Sequence, residues 1–347
     1  MTSPIEIQTN VELAPLTTLG VGGAARYFAE VRVEQELKAA LAHARENDLD
    51  VFVLGGGSNI VVADGGFDGL VIRISIKGIR EIDLEADYVV LSVGAGEDWD
   101  GFVAYTVERG LAGVECMSGI PGLVGGTPVQ NVGAYGQEVS ETIVSVRCLD
   151  RTTGEITELP NSECGFGYRK SIFNSTDRNR YVVTGVDFRL AVNGRPKLAY
   201  RELAERFAVR SPGLGEVRDA VLAIRRSKSM VIDPADPNSR SAGSFFKNPL
   251  VPAEKYDELK VKFGEVPKFP AANGMVKVPA AWLIENAGFS KGFELNGAGI
   301  SAKHSLAIVN LGAARSGDII ELKELIRSGV NAKFGILLEP EPIFVGF

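Results

Sequence analysis

Val51-Phe-Val-Leu-Gly-Gly-Gly-Ser-Asn-Ile-Val-Val62 is the stretch on which the fold turns. Its first four residues are apolar, and two are β-branched, the composition of a short buried strand. Gly55-Gly56-Gly57-Ser58-Asn59 interrupts the run, and Ile60-Val-Val62 resumes it. A Rossmann unit needs strand, glycine loop and helix in that order, with an acidic residue about 20 positions on. Here a β-branched run stands where the helix belongs. Gly20-Val-Gly22-Gly-Ala-Ala25 fits the G-x-G-x-x-A spacing, but residues 16–19 make a poor strand. The remaining way to hold a phosphate is a nest of backbone amides in a non-helical loop. Glycines reach positive φ at little cost there, and Ser58 and Asn59 add side-chain donors.

A second loop of the same kind lies downstream. Gly119-Ile-Pro121-Gly122-Leu-Val-Gly125-Gly126-Thr127 runs on through Gln130-Asn131-Val-Gly133-Ala134-Tyr135-Gly136. Two such loops, each bordered by buried strands, point to a phosphate-bearing cofactor enclosed from two sides.

Around the loops the periodicity is mixed. Helices are expected at Val33–Asn47, Asp98–Arg109 (ended by Gly110), Glu216–Arg226, Pro279–Ala287 and Gly317–Arg327. Strands are expected at Val51–Leu54, Gly69–Ser75, Tyr88–Val93, Val144–Leu149, Glu155–Leu159, Tyr181–Leu190 and Ser305–Asn310, with an apolar strand over Phe334–Phe347. Asp233–Arg240, rich in Pro, Asp, Asn and Ser, marks a loop or lobe boundary. This irregular order predicts an α+β protein rather than a doubly wound sheet.

Composition narrows the chemistry. With 347 residues, more than one core is expected. The net charge of −7, without any basic run, argues against nucleic acid as a partner. The longest apolar runs are too short to cross a bilayer. Met1–Asn10 is acidic and polar where a secretory signal is basic and then apolar, so a cytoplasmic address and no membrane association are expected. Cys116, Cys148 and Cys164 have no metal-site spacing, and their odd number argues for buried reduced thiols. His43 and His304 are the only histidines, too few for a His-based metal site or a Ser-His-Asp triad. Both read as structural, so no metal is expected, and the chemistry must be done by other groups or by an organic cofactor.

Six segments, in this order, carry a family resemblance: Leu-Gly-Gly-Gly-Ser-Asn (54–59), Gly-Ile-Pro-Gly-Leu-Val-Gly-Gly (119–126), Gly-Ala-Tyr-Gly (133–136), Gly-Tyr-Arg-Lys-Ser-Ile-Phe (167–173), Ala-Gly-Ser-Phe-Phe-Lys-Asn-Pro (242–249) and Leu-Glu-Pro-Glu (338–341). From about Thr17 to Glu341 the chain resembles the UDP-N-acetylenolpyruvoylglucosamine reductase family. The resemblance implies a two-part FAD-binding region of the vanillyl-alcohol-oxidase type and a C-terminal α/β lobe for the substrate. The expected lobes are 1–78, joined by the strand 334–347, then 79–228, then 229–333. It also implies NADPH as hydride source and a UDP-amino-sugar substrate; the loops offer amides but no attachment residue, so the FAD is expected to be noncovalent, and a monomer is expected. Gly55–Asn59, Gly119, Pro121, Gly122, Gly125, Gly126, Thr127, Asn131, Gly133, Ala134 and Tyr135 would hold the cofactor.

The implied reaction adds hydride to the terminal carbon of an enolpyruvyl double bond, leaving negative charge on the neighbouring carbon and its carboxylate. Arg169, in the Gly-Tyr-Arg motif, would hold that charge with a donor fork. Ser244 would return the proton, and Glu341 would assist, although Glu339 two residues earlier has an equal claim on strand spacing alone. Tyr168, Tyr200, Lys228, Lys247 and Asn248 would contact the substrate. Tyr200, in the long segment between Arg169 and Arg226, resembles the tyrosine that closes over the substrate in the longer of two subclasses. Three features depart from the family pattern: Pro342 directly after Glu341, a short tail, and an expansion at Asp236–Arg240. An oxidase of sugars or lactones on the same scaffold is the alternative. Such enzymes often tether FAD through His or Cys, and residues 54–59 and 119–136 contain neither.

Overall fold

A computed structural model describes residues 5–269, 271 and 274–347. Residues 1–4 of the acidic and polar start lie outside the described residues. Contacts gather the chain into two units. The first comprises the segment ending at Val11, Ala25–Gly57 and Asp68–Ser227; the second comprises Glu12–Ala24, Ser58–Phe67 and Lys228–Phe347.

The first unit holds two sheets. A four-stranded sheet has the order Gln8–Glu12, Ala24–Val31, Phe67–Ile74, Val51–Leu54, with the last two parallel. The other is antiparallel, in the order Ile156–Pro160, Ile143–Asp150, Tyr181–Val192, Tyr88–Gly94, Ile79–Leu84. Leu111–Ala112 pairs with the central Tyr181–Val192. That central strand is buried through most of its length, as its place between two neighbouring strands requires.

Helix Glu34–Glu46 turns Leu37, Ala40 and Ala44 into the same core. Helix Trp99–Glu108 inserts Trp99 and Phe102 against Phe188, with ring centroids 5.0–6.0 Å apart. Each such ring contributes about 1.5–3 kcal/mol by leaving water. Asp98 caps the helix by accepting from the Gly101 amide, and Gly110, at φ +69°, ends it.

The second unit packs helix Ser316–Phe334 on the three-stranded sheet Glu294–Leu295, Ala298–Ile300, Ile308–Asn310. Helices Ala253–Phe263 and Ala280–Asn286 complete its core. Asp64 caps the long helix from far away in sequence: its carboxylate accepts from the amides of Ser316 (2.9 Å) and Gly317 (3.4 Å). Ile60–Val62 pairs in parallel with Ile343–Val345.

Several expectations need correction. The apolar strand expected at Phe334–Phe347 shrinks to Ile343–Val345. Phe334 belongs to the helix, which runs seven residues beyond the expected Arg327 and ends at left-handed Gly335. Pro340 and Pro342 lack the N–H groups a longer strand would need. Strands Gln8–Glu12 and Ala24–Val31, and helices Arg201–Arg206 and Ala253–Phe263, were not expected. The Gly20–Ala25 segment runs into a strand rather than a helix, and Gly22 lies so close to Val62 that a Cβ would sit 2.4 Å from its side chain. Its glycines serve packing.

Candidate active site

The two glycine loops meet inside the first unit. A Cβ on Gly56 would fall 2.6 Å from the Cα of Gly122 and 3.0 Å from its carbonyl carbon. Only two glycines permit that backbone-on-backbone approach. Gly57, Gly119 and Gly122 have φ of +63°, +73° and +128°, whereas Gly55 and Gly126 face open space. This is a cradle of the kind a pyrophosphate requires, so the residues present fit the expected cofactor.

The second loop is held from below. Asp100 Oδ1 accepts from the Gly119 amide at 2.6 Å, and Arg218 clamps the same carboxylate at 2.6 and 2.9 Å. Burial alone would raise the Asp100 carboxyl, but these donors hold it below the usual range. The Gly122 carbonyl accepts from the Trp99 amide, and the Gly125 amide donates to the Ala95 carbonyl at 2.9 Å. Thr127 is buried and its hydroxyl donates to the Val124 carbonyl, so it shapes the loop from inside. Pro121 lies within this stretch.

The Arg169 segment is attached to the same loop. Gly167 and Lys170 exchange backbone bonds at 2.9 and 3.1 Å, placing Tyr168 and Arg169 at the tip of a tight turn. Arg169 adopts φ +53°, its Nη2 donates to the Gly133 carbonyl at 3.0 Å, and its guanidinium lies 5.7 Å from the Tyr168 ring centre. Buried Asn131, at φ +44°, donates to the Gly167 carbonyl and to Glu138 and accepts from Ser140. Tyr135 has φ +49°. Two left-handed non-glycine residues, Asn131 and Arg169, thus share one bonded cluster with Gly133, and a third, Tyr135, follows two residues along the chain. Such strain persists only where surrounding bonds enforce it, and it gathers at functional sites.

Tyr200 precedes helix Arg201–Arg206 and meets Tyr135 edge-on, with ring centres 5.1 Å apart. Burial pushes the Tyr135 hydroxyl up to about 12. The three cysteines are buried free thiols; burial raises Cys116 to about 12 and Cys164 to about 11.

Ser244 and Glu341 belong to the second unit, Arg169 to the first. Gly243, at φ +74°, turns the chain into Ser244, and the fully buried Phe245 and Phe246 anchor the chain just beyond it. The C-terminal segment runs alongside: the Glu341 amide donates to the Phe245 carbonyl, and the Lys247 amide to the Glu339 carbonyl, both at 2.9 Å. Asn59 fastens this segment, donating to the Glu341 carbonyl at 3.2 Å and accepting from the Ile343 amide at 3.0 Å.

The symmetry between Glu339 and Glu341 is broken. Glu339 is exposed and ion-paired with Lys247, whereas Glu341 is half-buried. Asn248 Oδ1 accepts from the Ala280 amide at 2.9 Å and caps helix Ala280–Asn286. Lys228 begins the second unit, just after helix Leu214–Ser227. One residue without a role in the sequence reading joins the site: His304, whose Nε2 lies 3.4 Å from Ser244 Oγ.

Comparison with known proteins agrees with this division of labour. Residues 25–160 match the FAD binding domain, and residues 234–345 match the C-terminal domain of UDP-N-acetylenolpyruvoylglucosamine reductase. The fold and its glycine cradle therefore define a flavin-dependent oxidoreductase.

The reductase of that name from Thermobifida fusca is 47% identical, the alignment covering 97% of each chain. That from Nocardia farcinica is 48% identical over 98% of this chain and 90% of its own. A crystal structure of the enzyme from Thermus caldophilus superposes with a TM-score of 0.67 at 28% identity, covering 98% of this chain and 99% of that one. The chain belongs to the UDP-N-acetylenolpyruvoylglucosamine reductase family.

Proposed function

We propose that the chain reduces UDP-N-acetylglucosamine enolpyruvate to UDP-N-acetylmuramate for peptidoglycan synthesis, with NADPH as reductant. The observation that carries the reading is the strained, bonded cluster holding Arg169 on the Gly133 loop. FAD bound noncovalently in the cradle supplies the hydride.

Gly55–Asn59 and Gly119–Thr127 line the pyrophosphate site, with Asn131–Tyr135 shaping the floor. Arg169 binds the enolpyruvyl carboxylate and stabilises the charge that builds on it. Ser244 passes its hydroxyl proton to the carbon next to that carboxylate. Glu341, rather than the ion-paired Glu339, helps to polarise the enolate. Tyr168, Tyr200, Lys228 and Lys247 orient the sugar nucleotide, and Asn248 keeps its neighbourhood in place by capping a helix. In lobe terms, residues 1–78 and 79–228 carry the cofactor and 229–333 carry the substrate. NADPH and nucleotide sugars are cytoplasmic metabolites, which supports a cytoplasmic enzyme.

The two halves of the cycle separate the roles, because the flavin is reduced before the sugar nucleotide is needed. Ser244→Ala should spare reduction by NADPH and slow reoxidation by the enolpyruvyl substrate about 10²- to 10⁴-fold. Ser244→Cys, which keeps a proton donor, should lose less. Stopped-flow absorbance of each half-reaction decides: slowing of both halves, or of neither, removes the proton-donor role.

A further inference from the structure

The turn from Ser301 to Ala307 brings an imidazole to the serine just given the proton-donor role. His304 Nε2 and Ser244 Oγ, on two half-buried residues, stand 3.4 Å apart. Bonds fix both sides of this approach. The Phe245 amide donates to the Leu306 carbonyl at 2.7 Å, tying the serine segment to the histidine turn. Within the turn, the Ala307 amide donates to the His304 carbonyl at 3.0 Å, and the Ser301 amide to the Ala307 carbonyl at 2.9 Å.

Outside it stands the expanded Asp236–Arg240 loop. Asn238 Oδ1 accepts from the Ala302 amide at 2.8 Å, and Asp236 pairs with Lys303 at 2.9 Å. The backbone that carries the imidazole is thus fixed beside the serine by several bonds.

A serine hydroxyl has a single hydrogen. Given to the ring, none is left for a substrate. With the ring nitrogen as donor, that hydrogen is free to point elsewhere, and the oxygen meets a donor already in place when its proton departs.

We propose that His304 is a positioning residue for Ser244: its Nε2–H donates to Oγ, aims the hydroxyl hydrogen at the acceptor carbon, and stabilises the oxygen left behind. The inference rests on the proton-donor reading of Ser244. In the step itself the O–H bond breaks, a C–H bond forms, and the O–H electron pair stays on Oγ. A solvent proton restores the hydroxyl once product has left, and His304 ends as it began.

The test uses the holoenzyme and four variants: His304→Ala, His304→Gln, Ser244→Ala and the double variant Ser244→Ala/His304→Ala. His304→Ala should slow reoxidation by substrate about 10²-fold, the scale of one donor to a developing oxyanion, with flavin reduction by NADPH unchanged. His304→Gln, which keeps an N–H donor, should recover most of that loss. The double variant should be no slower than Ser244→Ala alone.

A spectroscopic readout stands apart from turnover. The chain has two histidines, His43 and His304. Ser244→Ala should displace the Nε2 nitrogen resonance of His304 and leave those of His43 in place. A normal rate in His304→Ala, slowing of both half-reactions, a further loss in the double variant, or an unmoved His304 resonance each overturns the inference. Normal reoxidation in Ser244→Ala instead overturns the proton-donor reading itself, and the inference with it.

Discussion

Arg169 illustrates what a single residue must do here. Its left-handed backbone is uncommon for a long side chain, and the bonds from Gly167–Lys170 and to Gly133 enforce it. Lysine in its place keeps the charge and the backbone problem but loses the planar fork. Arg169→Lys should leave thermal stability and flavin reduction by NADPH near normal while lowering kcat for the sugar nucleotide by about 10²-fold. An unchanged kcat would show that the fork does not meet the developing charge. At this scale the sequence was partly legible. Motifs nominate Arg169, Ser244 and Glu341, whose roles are proposals, whereas the left-handed φ of Arg169 and the approach of His304 to Ser244 leave no mark in the sequence. A histidine sixty residues from its serine carries no local signal, because only backbone pairing between distant segments brings them together.

At the scale of elements, the glycine loops carry the clearest consequence. Gly56→Ala would drive a Cβ to 2.6 Å from the Gly122 backbone, where nothing flexible can yield. Overpacking of this kind costs about 1–3 kcal/mol, so FAD affinity should fall roughly 5- to 150-fold if that cost falls on the bound state, measured as a dissociation constant by flavin fluorescence. Unaltered affinity would mean that the loops need not touch to hold the cofactor.

Asp64 is a second case. Burial pushes its carboxyl upward, but the Ser316 and Gly317 amides outweigh this and leave it lowered. A carboxyl lowered by folding adds stability above its unfolded pKa, and that stability is lost as pH falls through the folded value. Asp64→Ala should therefore cost about 1 kcal/mol at neutral pH, the usual scale of a lost helix cap, and progressively less in acid. Urea unfolding at several pH values checks both parts; an equal loss at every pH would rule out the charged cap. Elements with a strong period were readable, Val51–Leu54 to the residue. Helix Ala253–Phe263 was not, since it buries only Tyr256 and Leu259 and its other positions are largely charged. Ala24–Val31 was hidden beneath a glycine motif that suggested a different fold.

For the whole molecule, 40 glycines and two histidines set the strategy: backbone and cofactor do what side chains do elsewhere. The α+β class was legible because the strands and helices follow no βαβ alternation. The gathering of Glu12–Ala24 and Ser58–Phe67 with the whole of Lys228–Phe347 was not, because it depends on contacts between segments far apart in the sequence.

The measurement that bears most directly on the enzyme's identity is anaerobic NADPH oxidation by the purified yellow protein, with and without UDP-N-acetylglucosamine enolpyruvate. The expected result is one NADPH consumed per substrate molecule, a product heavier by two hydrogens, and almost no turnover without the sugar nucleotide. NADPH oxidation indifferent to that substrate, or turnover that begins only when oxygen is admitted and yields peroxide, would contradict the assignment.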